Sequence, residues 1–172
     1  MANETTVRKL AAILSADVVG YSRLMERDEE ATLAELKAIR TEIIDPSLKL
    51  RHGTVVKTMG DGLLIEFPSI VEAVRNAIEI QDAVHQRNLE VPENERLVFR
   101  VGVNLGDVIV EDGDIYGDGV NIAARLQMLA EPNGVCISAD AHNQIRDKLE
   151  NQFDGMGERE VKNIARPIRV WG

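Results

Sequence analysis

A chain of 172 residues with 44% hydrophobic content is long enough to bury one core and too short for two domains of ordinary size. Aromatic residues make up only 3%, which turns the core toward Val, Ile, Leu and Ala and away from an aromatic-rich β-sandwich. The formal net charge is -9 and no basic strip runs along the sequence, so sequence-independent binding to nucleic acid is excluded; an acidic surface repels phosphate backbones.

Residues 1–6 read as a flexible tail. KLAAILSADVVGYS then begins as an apolar run suited to a buried strand and changes character at Ser15, with Asp17 interrupting residues that belong inside. Leu33, Leu36, Ile39 and Ile43 recur at helical spacing behind acidic residues, and Pro46 is expected to end or kink that helix. GTVVKTM and LLIEF form two strands joined across GDG, where glycine permits the positive φ of a tight turn. Ser69 and Glu72 make a capping box ahead of a helix carrying Val74, Ala77, Ile78 and Val84. NLEVPENER is a polar loop. LVFRVGVNLGDVIVED reads as a second hairpin turning near Leu105 to Asp107, followed by a glycine-rich loop, DGDIYGDG. NIAARLQML opens a helix, VCIS a strand, ADAHNQIRDKL a helix, and GEREVKNI and PIRVW close the chain as β segments. The order strand, helix, strand, strand, helix, strand is that of an α+β fold: a ferredoxin-like split βαβ sheet with helices packed on it and a C-terminal α/β extension, in a single domain spanning 1–172.

Cys136 is the only cysteine, so no intramolecular disulfide forms and a reducing, cytoplasmic setting is the natural reading; its flanks, GVCIS, suggest a buried strand. His52, His85 and His142 fall in unrelated segments without HExxH and are expected at the surface. No apolar run approaches the roughly 18 residues of a membrane span, and MANETTVRK is too polar for a signal peptide, so no membrane contact is expected from this segment. DGDIYGDG fails as a calcium loop, because the fifth and twelfth positions counted from Asp112 hold Tyr116 and Ala123. GxxxxGK[ST] and G-x-S-x-G are both absent.

The carboxylates carry more information. In a split βαβ sheet the first strand runs antiparallel beside the third, so Asp17, at the end of one, meets Asp61, in the turn that begins the other. Two converging carboxylates repel unless protons or cations intervene, and such hard oxygen ligands suit Mg²⁺ or Mn²⁺. Asp before Gly also serves plain turn chemistry, but an acid at the end of a buried strand has no such use. Asn121 and Arg125, spaced i, i+4 at a helix start, can point the same way; a capping Asn and a solvated Arg would look alike.

Taken together, ADVVGYS, KTMGD, DIYGDGVNIAAR and VKNIARPIRV, in that order and covering nearly the whole chain, resemble the catalytic domain of class III adenylate and guanylate cyclases. The resemblance implies that Asp17, Asp61 and the backbone carbonyl of Val18 bind two divalent cations. It implies that Lys57 and Asp114 read the purine, that Asn121 orients the ribose, that Arg125 stabilises the pentavalent phosphorus, and that Lys162 holds the outer phosphates. It further implies a homodimer acting on ATP, each site completed by residues of both subunits.

That reading leads to an adenylate cyclase in which the ribose 3′-hydroxyl attacks the α-phosphorus and expels pyrophosphate. A nucleotide-sensing dimerisation module without turnover is the reading from another class, and a guanylate-specific cyclase the variant within it. A diguanylate cyclase shares the palm-like sheet but needs a GGDEF-type turn, where this chain runs from GDG straight into LLIEF. A fused or associated regulatory domain, whether sensor, repeat or membrane domain, could follow Gly172.

Overall fold

The computed structural model describes residues 7–149, together with the backbone of 155–159 and 168–171. The expectations for the 1–6 tail and for Lys162 lie outside those residues. The chain forms β1 (Val7–Val18), α1 (Tyr21–Arg27), α2 (Glu29–Ile39), a π turn (Arg40–Ile44), α3 (Asp45–Arg51), β2 (Thr54–Met59), β3 (Gly62–Phe67) and α4 (Ile70–Asn88). A short 3₁₀ turn (Glu93–Glu95) leads to β4 (Phe99–Glu111), β5 (Asp114–Tyr116), α5 (Asp118–Leu129), β6 (Val135–Ser138), α6 (Ala139–Ile145), β7 (Gly155–Arg159) and β8 (Ile168–Trp171).

The sheet runs β2-β3-β1-β4-β6-β8-β7, with β5 paired to β4. Each of its first four strands is antiparallel to its neighbour, the ferredoxin-like order; β6 then adds to β4 in parallel, and β8 and β7 extend the edge. Period-two alternation along β1 divides its side chains between two faces. Ala12, Leu14, Ala16 and Val18 enter the main core with Ile39, Ile44, Leu48 and the apolar stripe of α4. Ala11 and Ile13 enter a smaller core with Val108, Ile115 and Ala123, under α5. Ser15 and Asp17 continue this second face, so the acid is delivered to the α5 side of the sheet.

Three sequence expectations need correction. The stretch from 99 to 111 is one long strand, not a hairpin. Its glycines serve close approach: a Cβ on Gly102 would lie 2.3 Å from the Gln127 nitrogen and 2.5 Å from the Ala123 oxygen, so α5 rests directly on the strand backbone. The real turn comes later, at Asp112 and Gly113, both at positive φ (54° and 80°), and it pairs β5 back onto β4 inside what reads as a loop. Pro46 does not end the helical path. It occupies the first turn of α3, where a missing N–H costs little, and the π turn before it takes up the change of register.

Other expectations hold in part. Ser69 caps α4, accepting from Val71 N–H and Glu72 N–H at 3.2 and 3.5 Å, while the Glu72 carboxylate pairs with Arg51 and Arg75. Cys136 is fully buried on β6. His52 and His85 are exposed, but His142 is half-buried because α6 packs against the core through neighbouring Ala141 and Ile145. Among the described residues no helix is long and apolar enough to cross a membrane.

Candidate active site

Hairpin geometry brings the two aspartates together. β1 and β3 pair with Ala16 opposite Leu63, and β2 closes onto β3 at Met59 and Gly62, leaving Gly60 and Asp61 as the turn. Gly60 takes the positive φ, 60°, and nothing crowds it. Asp61 is thereby held beside the end of β1, where its Oδ2 accepts the Val18 N–H at 2.9 Å. A charged acceptor on a strand-end N–H fixes the carboxylate and orients it toward its neighbour, Asp17.

Asp17 is about 28% exposed at its side chain. Burial pushes its carboxyl above the ordinary value, Arg100 pulls it back, and the charge of Asp61 adds to the upward push. Its Oδ2 accepts a long bond of 3.4 Å from Arg100, the residue opposite it in the β1 and β4 register. Its Oδ1 is buried without a hydrogen-bond partner. A buried carboxylate oxygen left unpaired is costly, and here it lies in a pair of negative charges. Divalent cations satisfy both conditions. Among the described residues no cluster of three or more His, Cys, Asp or Glu groups could enclose a metal by itself. Two carboxylates with a backbone carbonyl and substrate phosphates is a donor set that Mg²⁺ accepts, so the residues fit the ion as a substrate-completed site.

Lys57 and Asp114 meet from opposite ends of the curled sheet. A register shift between Val55 and Lys57 inserts Val56 into β2 as a bulge. Val56 packs on the small core with Ile115, and Lys57 follows it to the β5 side. There Lys57 Nζ lies 2.9 Å from Asp114 Oδ2 and 5.4 Å from the centroid of the Tyr116 ring. The bond to Lys57 is the main reason the Asp114 carboxyl sits below its ordinary value, and the Asp114 charge raises the Tyr116 phenol. A donor and an acceptor thus stand side by side, each half-exposed and available for exchange with a ligand.

Asn121 and Arg125 lie one turn apart on α5, exposed and half-buried respectively. The Arg125 guanidinium rests against Met128 Sδ at 3.5 Å, a weak acceptor. Two cavities of about 340 and 400 Å³ lie beside α1 and the end of α4, and neither is lined by a candidate residue. Asp17, Lys57, Asp61, Asp114 and Arg125 are half-buried, and Asn121 is exposed. Arg100, Tyr116 and Gln127 escaped the sequence reading. Arg100 follows from cross-strand register once β4 is known to be continuous, and Tyr116 from recognising β5.

Known proteins resemble this chain in sequence and in fold. The family model described as the adenylate and guanylate cyclase catalytic domain matches residues 5–171. The Rhizobium meliloti (strain 1021) protein named "Putative adenylate cyclase 3" is 50% identical over 99% of this chain, which spans 29% of that protein. An adenylate cyclase of Streptomyces coelicolor is 34% identical over 85% of this chain and 37% of its own length. The chain thus spans about a third of the curated relatives. A crystal structure of an adenylate/guanylate cyclase/hydrolase from Silicibacter pomeroyi is 48% identical and superposes with a TM-score of 0.92, covering 97% of each chain.

Proposed function

For a chain that belongs to the adenylate and guanylate cyclase catalytic domain family, we propose the conversion of ATP to cyclic AMP and pyrophosphate, at sites shared by two copies of one catalytic domain. The observation that carries this reading is the meeting of Asp17 and Asp61 at a strand end, with one buried carboxylate oxygen unpartnered. Asp17, Asp61 and the Val18 carbonyl would hold two Mg²⁺ or Mn²⁺ ions. Bound there, such ions supply Lewis acidity toward the ribose 3′-hydroxyl and the triphosphate.

The rest is done by this chain's side chains. Asn121 hydrogen-bonds the ribose and aims the 3′-oxygen at the α-phosphorus. As that O–P bond forms, the bond from the α-phosphorus to the α,β-bridging oxygen breaks in line and pyrophosphate leaves with that oxygen, while the hydroxyl proton passes to solvent. Arg125 donates planar N–H groups to the charge growing on the α-phosphoryl oxygens, a match that the point charge of lysine lacks. Lys162 is the residue proposed for the outer phosphates.

Base choice rests on Lys57 and Asp114. Adenine offers an amino donor at N6 and an acceptor at N1; guanine offers the reverse at O6 and N1. Asp114, an acceptor, suits N6, and Lys57, a donor, suits N1, so their mutual bond of 2.9 Å is exchanged for two bonds to adenine. Guanine would face acceptor with acceptor and donor with donor.

The test is cyclic nucleotide formation by the purified protein with ATP or GTP, in Mg²⁺ and in Mn²⁺. Cyclic AMP from wild type and none from Asp61→Asn is the expected result. Asn retains an oxygen for the Val18 N–H and loses the repulsion of Asp17, so this variant should melt in chelator no lower than wild type. Nucleotide binding without turnover would sink the cyclase reading, and a preference for GTP would sink the assignment of Lys57 and Asp114.

A further inference from the structure

We propose that Gln127 is a positioning residue that locks the strand end bearing Asp17 to the helix bearing Asn121 and Arg125, making one rigid body of the two half-sites each copy contributes. The inference rests on the cyclase reading for the roles of those residues, and on separate geometry for the lock.

Gln127 lies two residues beyond Arg125 on α5, about 200° around the helix, so it faces the sheet while Arg125 faces outward. It is 7% exposed, and Ser15, which donates its hydroxyl to Gln127 Oε1 at 2.9 Å, is 8% exposed. Ser15 and Asp17 share one face of β1, so this amide is fastened two residues before the candidate metal ligand.

What permits the fastening is Gly102. It pairs directly with Ser15 in the β1 and β4 register, and its missing side chain lets the Gln127 backbone come within 2.3 Å of where a Cβ would stand. Ser15, Gly102 and Gln127 therefore form one contact through three elements. An apolar pair would fill the same volume without direction. A hydrogen bond between two buried polar groups holds only in one register, because slippage leaves both unpaired.

The lock has a consequence special to a shared-site dimer. Asp17 of one copy serves one site and Arg125 of the same copy serves the other, so a shift of α5 on engaging substrate at one site is carried to the metal strand of its neighbour.

The experiment compares Gln127→Met, Ser15→Ala and the double variant with wild type as intact protein. Mn²⁺ binding is followed by electron paramagnetic resonance without nucleotide, alongside kcat, KM for ATP and melting temperature. Gln127→Met should bind Mn²⁺ about 10-fold more weakly and lose about 10-fold in kcat with little change in KM, the scale seen when a support behind a metal ligand is removed. Ser15→Ala should move both readouts in the same direction, and the double variant should be no worse than Gln127→Met alone, because the two groups act as a unit. Losses that multiply in the double variant overturn the proposal. So do variants that melt earlier while keeping wild-type Mn²⁺ binding and kcat. If Gln127→Met does not fold, Ser15→Ala carries the same test. A wild type that binds Mn²⁺ but forms no cyclic AMP overturns the cyclase reading and leaves the Mn²⁺ comparison to judge the lock; one that does neither overturns both.

Discussion

Replacing Gly102 by alanine adds one methyl group where helix and strand backbones touch. The new Cβ would stand 2.3 Å from Gln127 N and 2.5 Å from Ala123 O, where ordinary contact begins at 3.4 Å. Both obstacles are helix backbone, so no side chain can swing aside, and α5 must move by about 1 Å. Overpacking of this kind costs about 1–3 kcal/mol, and backbone contacts place it at the upper end. Alanine returns about 0.4–1 kcal/mol by narrowing the unfolded ensemble. The net loss is about 2 kcal/mol, or about 4–8 °C in melting temperature for a domain of this size. Because α5 carries Asn121 and Arg125, a displacement of about 1 Å should also lower kcat about 100-fold. Thermal melting and cyclic AMP formation at saturating ATP measure the two effects on one preparation. A Gly102→Ala protein with wild-type melting would refute the close packing of α5 on β4. One that melts early yet turns over within about threefold of wild type would refute the claim that α5 transmits its position to chemistry.

Mixing Asp17→Ala with Arg125→Ala should restore about a quarter of wild-type activity, since random exchange makes half the dimers mixed and each carries one intact site; no recovery despite proven subunit exchange would mean that each site is built within one chain. Exchanging the pair proposed to read the base, as Lys57→Glu with Asp114→Cys, should erode the expected preference for ATP over GTP in kcat/KM by at least about 10-fold; unchanged selectivity removes both residues from base recognition. Arg51 ties α3 to α4 through Glu72 and Glu79, and its bond to Glu79 is the main cause holding that carboxyl below its ordinary value. A depressed acid stabilises the fold above the unfolded pKa of about 4.3 and ceases to do so as pH falls through its folded value. Arg51→Ala should therefore lower the melting temperature at pH 7 by a few degrees, with the deficit shrinking below about pH 4; the pair is partly exposed, which keeps its worth to roughly 1 kcal/mol. A deficit independent of pH would assign the effect to lost packing instead.

Much of this protein was legible without coordinates. An apolar run marked β1, and the GDG turn between two strands placed Asp61 opposite the end of β1, because in a split βαβ sheet the first strand runs antiparallel beside the third. The Ser69 cap and the spacing of Asn121 and Arg125 are likewise local geometry, which depends on nearby residues alone. The resemblance carried by DIYGDGVNIAAR and its companion motifs reached the family for the same reason: contiguous residues keep their spacing in any tertiary setting.

What failed were residues whose use depends on a distant partner. Glycine permits a turn or a close approach, and the sequence cannot say which; α5 decides it for Gly102, and Gly106 likewise stays within the strand. The bulge at Val56 depends on which core takes the side chain, and it sends Lys57 to Asp114 across the curl of the sheet. Arg100 faces Asp17 only because β1 and β4 pair in one register over their full length, and Gln127 meets Ser15 only because α5 lies flat on Gly102. Local pattern thus determined most of the elements and which side chains are candidates for the site. Tertiary structure decided which of them meet, because contacts between residues far apart in the chain are set by how whole faces pack.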